Sequence, residues 1–317
     1  MSTTGRPRWY KPDRVLGFRM VLTMFLLGLV YVVFGAVLWK IGVGLGFLIF
    51  FALIIAIVQL FFADKIALAS MGARIVSEQE APELHDMIGR LAAATNLPKP
   101  KVAIVNSSIP NAFATGRDKN HAVVAVTTSI YQQLPPQELE AVLAHEMTHI
   151  INHDMLVMTI ATFFSMVLAL LMRNLFWIGM FGGFGGGGGY GGGRRNNDEG
   201  AGFLLAILAS VVTYVVSFIL IRALSRYREL AADRGSALIT GAPENLASAL
   251  LRISNTMKNA RIPQQDFRTA QAVNALFIVP ALRGDSLAVL FSTHPSIDER
   301  VQRLQAMQQQ MEQAKKL

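Results

Sequence analysis

The sequence predicts a mostly α-helical integral membrane protein. Four hydrophobic helices form two hairpins, and an α+β domain with a small β-sheet stands on the cytoplasmic side. Three observations carry that prediction. Of the 317 residues, 52% are hydrophobic and only 16% charged, with a mean hydropathy of +0.41; soluble domains run near about 25% charged. The apolar residues gather into runs long enough for a bilayer, which takes about 20 residues. Between those runs lie polar stretches with helix caps and short β-branched segments. This composition excludes an ordinary soluble globule and a disordered chain. Lys plus Arg number 29 against 21 Asp plus Glu, a net charge of +8. That excess is modest and argues against nucleic acid as a partner. Cys is absent, which removes disulfides, thiolate nucleophiles and Cys metal sites, so any metal must be held by His, Asp or Glu.

From Met20 to Ala63 the only charged side chain is Lys40. The run divides into spans at 20–39 and 41–63, with a tight turn near Lys40. A third uncharged run covers Met155–Met172 and extends through Leu175 and Phe176, and a fourth covers Ala201–Ile221. The alternative for each run is a buried core helix; length favours the membrane, least strongly for the third. The first run is too long for a cleavable signal peptide, and no small-residue cleavage site follows it. Residues 1–19 hold Arg6, Arg8, Lys11, Arg14 and Arg19 against Asp13 alone, which places the N-terminus in the cytoplasm.

The resulting organisation is a basic N-terminus (1–19), a first transmembrane hairpin (20–63), a cytoplasmic part (64–154), a second hydrophobic hairpin (155–221) and a second cytoplasmic part (222–317). Arg222, Arg226 and Arg228 agree with this orientation, whereas Arg194 and Arg195 lie on the opposite side. The Gly-rich stretch 182–193 reads as a flexible loop inside the second hairpin. It lacks the Gly-Lys-Ser/Thr ending of a phosphate loop.

In the cytoplasmic parts, residues 77–95 read as a helix with a capping box at Ser77 and Glu80, burying Leu84, Met87, Ile88 and Leu91. Val102–Val105 and Ala122–Val126 read as strands. Pro135 and Pro136 precede a helix over 136–154 with Leu139, Val142, Leu143 and Ile150 on its buried side. The fourth apolar run is expected to continue as helix through Arg222–Ile239. Ser296 and Glu299 suit a capping box before a final helix with Val301, Leu304, Met307 and Met311 inward.

The helix over 136–154 contains His145-Glu146-Met147-Thr148-His149. Residues i and i+4 share a helical face, so two imidazoles can bind one Zn²⁺. A carboxylate beside the first can act as general base on a metal-activated water. The plainer alternative is a helix with two satisfied histidines and a surface Glu. A third ligand is needed. A metzincin-type third His is excluded, because Met155 stands where that His would be and Asn152 where its Gly would be. His153 is assigned to the helix–membrane boundary. Glu229, with Asp233 one turn later, suits a His₂Glu site in which the second acid fixes an imidazole tautomer. The competing reading is a solvated helix face with Arg226 and Arg228 pairing those acids. Two intervening spans, an even number, return the chain to the membrane face that carries His145 and His149.

The chain resembles the HtpX-type membrane zinc metalloproteases, relatives of the CAAX prenyl protease. The resemblance rests on His145-Glu-Met-Thr-His149, Ser225-Arg-Tyr-Arg-Glu229-Leu-Ala-Ala-Asp233, Asn111-Ala-Phe-Ala-Thr-Gly116, and Ser292-Thr-His294-Pro295 with Arg300. It departs in having His153 where these proteins often have Gly, and in its long Gly-rich loop.

The resemblance implies a gluzincin-type domain with His145, His149 and Glu229 as ligands of one Zn²⁺ and Glu146 as base. It implies Asp233 as a supporting partner, of His145 in particular, and His294 as donor to the oxyanion with Arg300 nearby. Asn111, Ala112 and Phe113 would form an edge segment that pairs with extended substrate. It further implies a multi-pass protein of the bacterial inner membrane, engaged in stress response and quality control. Its partners would be the lipid bilayer, misfolded membrane proteins as polypeptide substrates, and other quality-control proteases. For Asn111 a turn role stands beside this, and for His294 a simple helix start. His85 and His121 read as surface or packing residues. Two functional alternatives remain: a prenyl-protein-type protease and a non-catalytic zinc scaffold or sensor.

Overall fold

The computed structural model describes residues 14–40, 45–155, 157–158, 197–259, 278 and 295–315. His294, the Gly-rich loop and nearly all of the third apolar run lie outside them. The chain divides into two compact units: Met1–Phe18 with Phe61–Val157 and Arg222–Leu317, and Arg19–Leu60 with Met158–Ile221.

The second unit is helical. Helix α1 covers Arg14–Lys40 and α2 covers Leu45–Ser70, so the second helix runs seven residues past the predicted end at Ala63. The predicted fourth run lies in a single 44-residue helix, α6, Asn197–Thr240. Among the described residues two helices, Gly17–Lys40 and Leu204–Thr240, are long and apolar enough to cross a membrane. Their large side chains point outward: Phe18, Phe25 and Val32 on α1, and Leu204, Leu208 and Ile219 on α6, are exposed, as are Phe50 and Leu53 on α2. Water would penalise such a surface and lipid does not.

The first unit is built on a four-stranded sheet with strand order β1-β2-β4-β3. The strands are β1 (Ala73–Ile75), β2 (Lys101–Val105), β3 (Ala112–Thr115) and β4 (Val123–Thr127). β2 and β4 run parallel in register from Lys101↔Val123 to Val105↔Thr127; β1 and β3 flank them antiparallel. β4 is buried along its whole length, as its run of Val and Ala demands. β3 lies at the edge.

Helix α3 begins at Pro82, not at 77, and ends at Thr95 with Asn96 in the left-handed region. Glu80 does reach back to the Ser77 N–H at 2.8 Å, but Ser77–Ala81 form a separate turn because the amides of Glu80 and Ala81 both bond the Ser77 carbonyl. After α4 (Thr128–Gln133), helix α5 spans Pro136–Ile151 with Pro136 in its first turn, where a missing N–H costs nothing. Nearly all of α5 from Glu138 onward is buried, so it is the central helix of the unit. It stops three residues short of the predicted end, at a turn in which His153 has a φ of 58°.

Helix α7 (Pro243–Asn259), not among the predicted elements, packs on α5, and α8 (Ile297–Lys315) packs on α7. Ser296 Oγ accepts from the Glu299 N–H at 3.2 Å, which caps α8 as its sequence predicts.

Candidate metal centre

Two helices bring the chemistry together. α5 carries His145 and His149 one turn apart, with ring centroids 4.9 Å apart and planes at 88°. The C-terminal half of α6 lies against α5 and carries Glu229 and Asp233. Ser236 of α6 donates to the Ala141 carbonyl of α5 at 2.6 Å. The approach is close because residue 235 is Gly. A Cβ there would overlap Thr148 Cγ2 and Oγ1. Gly235→Ala is therefore expected to destabilise the unit by about 1–3 kcal/mol and to weaken metal binding by pushing Glu229 away from the imidazoles. Denaturant unfolding with Thr148→Ala alongside checks this: the double variant recovers part of the loss.

His145, His149 and Glu229 are buried, and each offers a ligand atom within 4.8 Å of the others. Nε2 of His145 stands 3.6 Å from Glu229 Oε2, and Nε2 of His149 stands 3.6 Å from Glu229 Oε1. Each imidazole turns its other nitrogen to a separate carboxylate. Nδ1 of His145 is 3.0 Å from Asp233 Oδ1, and Nδ1 of His149 is 2.7 Å from Asp154 Oδ2. With Nδ1 of each ring turned to its carboxylate, both Nε2 atoms face the space beside Glu229.

Charge gives a second test of fit. Glu146, Asp154, Glu229 and Asp233 are buried carboxylates, and Arg228 and Arg300 are the buried guanidinium groups beside them. With neutral imidazoles these six groups leave two negative charges. Buried charge must be compensated, and a divalent cation between two imidazoles and a carboxylate does so with the donor set zinc prefers. The donor set therefore fits a divalent metal.

The same field acts on protons. Burial lowers the proton affinity of His145, but Asp233 and Glu229 outweigh it and raise its pKa to about 9. Burial would raise the Asp233 carboxyl; Arg300 and His145 more than reverse this and hold it below the usual carboxylate range. Burial lifts the Glu146 carboxyl above its ordinary value, with His149 and His145 pulling back.

Glu146 is fixed by the edge strand. Its Oε2 accepts from the Ala114 N–H at 2.9 Å. The Asn111 carbonyl accepts from the Thr127 N–H at 2.9 Å. Alternation along an antiparallel pair then turns the main-chain groups of Ala112 and Ala114 away from β4. Asn111, Ala112 and Phe113 are buried, and Ala114 is the partly exposed residue. The Asn111 side chain accepts from the Ile278 N–H at 3.0 Å.

Arg300 is 1% exposed and lies on Asp233, donating to its two oxygens at 2.8 and 2.6 Å and to the Ile278 carbonyl at 2.7 Å. Glu229 and Asp233 are not a solvated face: Arg226 reaches Glu299 at 3.4 Å and Arg228 reaches Asp154. His153 is exposed and, among the described residues, stands outside the His145–His149–Glu229 group. His85 is buried against the Val76 carbonyl, and His121 pairs with Asp118 at the surface. Asp154 was not singled out by the sequence; its one signal is an acid five residues after His149.

Peptidase family M48 matches residues 78–308, a stretch that contains every residue of this cluster. The protease HtpX homolog of Moorella thermoacetica is 53% identical over 301 residues, covering 95% of this chain and 97% of that one. The chain is an HtpX-type member of peptidase family M48. Protease HtpX homolog 2 of Methanosarcina mazei is 51% identical over 304 residues, with 96% and 99% covered. The crystal structure of S. mikatae Ste24p shares the fold of this M48 chain, with a TM-score of 0.52 at 19% identity. That likeness covers 92% of this chain and 65% of that one. Family and apolar helices together make the protein a membrane metalloprotease.

Proposed function

We propose that the protein is a zinc-dependent endopeptidase of the inner membrane that cleaves cytoplasmic segments of misfolded or damaged membrane proteins. The observation that supports this best is the buried His145–His149–Glu229 cluster with Glu146 beside it. His145, His149 and Glu229 would hold the metal. When bound, Zn²⁺ lowers the pKa of a water toward neutrality and polarises the scissile carbonyl.

Glu146 takes the proton of the attacking water and later delivers it to the leaving amine. The Ala114 N–H keeps its carboxylate in place for both transfers. Asp233 and Asp154 hold the imidazoles in one tautomer. Substrate backbone lies extended along β3 beside Ala114, on the foundation formed by Asn111, Ala112 and Phe113. Main-chain pairing of that kind tolerates many sequences, as clearance of damaged proteins requires. His294 donates to the oxyanion that develops on the substrate carbonyl.

The test is cleavage of an unfolded polypeptide by the purified full chain in detergent with Zn²⁺. A farnesylated peptide and its unprenylated twin run in parallel. Cleavage of the unfolded chain, inhibited by a zinc chelator and indifferent to the prenyl group, is expected. A strict requirement for the prenyl group would replace quality control with a prenyl-protein substrate. Zinc binding without any hydrolysis would reduce the protein to a scaffold or sensor.

A further inference from the structure

We infer that Asp154, held by Arg228, is a positioning residue for the second metal-ligating imidazole. It is the counterpart, on His149, of the Asp233–Arg300 pair on His145. The inference rests on the reading of His145, His149 and Glu229 as metal ligands.

Three features carry it. Asp154 has no exposed surface, and its Oδ2 lies 2.7 Å from His149 Nδ1. The same Oδ2 lies 3.4 Å from Arg228 Nε, on a guanidinium that is itself 9% exposed. Asp154 Oδ1 has no hydrogen-bond partner among the described residues, so one oxygen serves both neighbours. A buried carboxylate aimed at an imidazole N–H, with only one longer contact to a cation, is stabilised by positive charge beyond that imidazole. Glu229 Oε1 lies across from the ring's other nitrogen, where the metal would sit.

The backbone is bent to make this contact. Continued as α-helix, a residue five positions after His149 would stand about 140° around the axis from it, out of reach of the ring. Instead α5 ends at Ile151, and His153 adopts a φ of 58°, in the left-handed region that non-glycine residues rarely occupy. The turn folds Asp154 back beneath His149. A strained residue next to a buried carboxylate on a ligand imidazole marks a conformation held for the site.

Arg228 comes from the other helix. It sits one residue before Glu229 on α6, so the turn that delivers the third ligand also delivers the cation for Asp154. Both histidines thus stand in the same order: imidazole, carboxylate, guanidinium. The two sets differ in the strength of each link. Arg300 donates to both oxygens of Asp233, while Arg228 makes a single longer contact with Asp154. More of the Asp154 charge is therefore left to act through His149.

The experiment measures Zn²⁺ affinity by chelator competition on the purified full chain in detergent, for wild type, Asp154→Ala and Asp154→Asn. Cobalt-substituted spectra and thermal unfolding are recorded for each. Asp154→Ala is expected to weaken Zn²⁺ binding about 10–100-fold and to shift the cobalt absorption bands. Asp154→Asn still accepts the Nδ1 proton but lacks the charge, and is expected to fall between Asp154→Ala and wild type. If Asp154→Ala fails to fold, the near-isosteric Asp154→Asn decides. Wild-type affinity and an unshifted cobalt spectrum in Asp154→Asn and in any folded Asp154→Ala overturn the inference while leaving the ligand assignment intact. A wild type that binds no Zn²⁺ overturns the ligand assignment itself, and this inference with it.

Discussion

Glu146→Gln is expected to lower kcat for peptide hydrolysis by about 10²–10⁴-fold, the range for loss of a positioned general base, and to leave zinc content unchanged. The substitution isolates proton transfer. An amide oxygen at the same place still accepts from the Ala114 N–H, which now holds Glu146 Oε2 at 2.9 Å, so the side chain keeps its position. It cannot take a proton from water. Glu146 is not among the three groups that face one another as ligands, so metal binding does not depend on it. Burial favours its protonated form relative to an exposed carboxyl, which makes it a more effective acceptor near neutral pH. Zinc analysis and turnover of an unfolded polypeptide, measured on the same preparation, check both halves. Cleavage at the wild-type rate would remove Glu146 from the mechanism.

Arg300→Met is expected to destabilise the protein by about 3–5 kcal/mol, as does removal of one partner from a buried ion pair. Arg300 bonds both oxygens of Asp233 and the Ile278 carbonyl. Its loss strands the Asp233 charge in the interior, next to His145. The double variant Asp233→Asn/Arg300→Met removes that charge and recovers part of the loss. Unfolding in denaturant, compared across the two single variants and the double, measures the coupling. A loss below about 1 kcal/mol for Arg300→Met would show that the pair is no better than a surface one. The prediction reaches activity too: Asp233 holds Nδ1 of His145, so a carboxylate freed to move loosens a ligand.

The sequence displays the members of the candidate site better than their supports. His145, Glu146 and His149 follow from helical spacing, and Glu229 from its partner Asp233 one turn on and an even number of intervening apolar runs. Those are local or topological signals. Asp154 depends on His153 adopting a left-handed turn, which periodicity does not encode. Arg300 meets Asp233 across 67 residues, and nothing in the chain between them announces the pairing. The strands divide the same way. β2 and β4 are β-branched runs and were legible. β1, the three residues Ala73–Ile75, and β3, the four residues Ala112–Thr115, are too short to carry a pattern and exist because a neighbour offers hydrogen bonds. Helix α7 carries a pattern of its own, since its inner residues Leu246, Leu250, Ile253 and Met257 keep helical spacing.

The long α6 helix sets an order of events in biosynthesis. The ribosome reaches Glu229, the third member of the cluster, only 80 residues after His149, roughly 4–16 s later at about 5–20 residues per second. His149 has its own carboxylate within five residues, whereas the carboxylate and guanidinium that serve His145 come at 233 and 300. An emerging chain therefore holds Glu146 long before it holds the complete His145–His149–Glu229 cluster. On the proposed mechanism, translation products that stop short of Glu229 are inert. On that mechanism the protease becomes able to cut only once α6, apolar stretch included, has been made, and a half-built copy is no hazard to the proteins being synthesised around it.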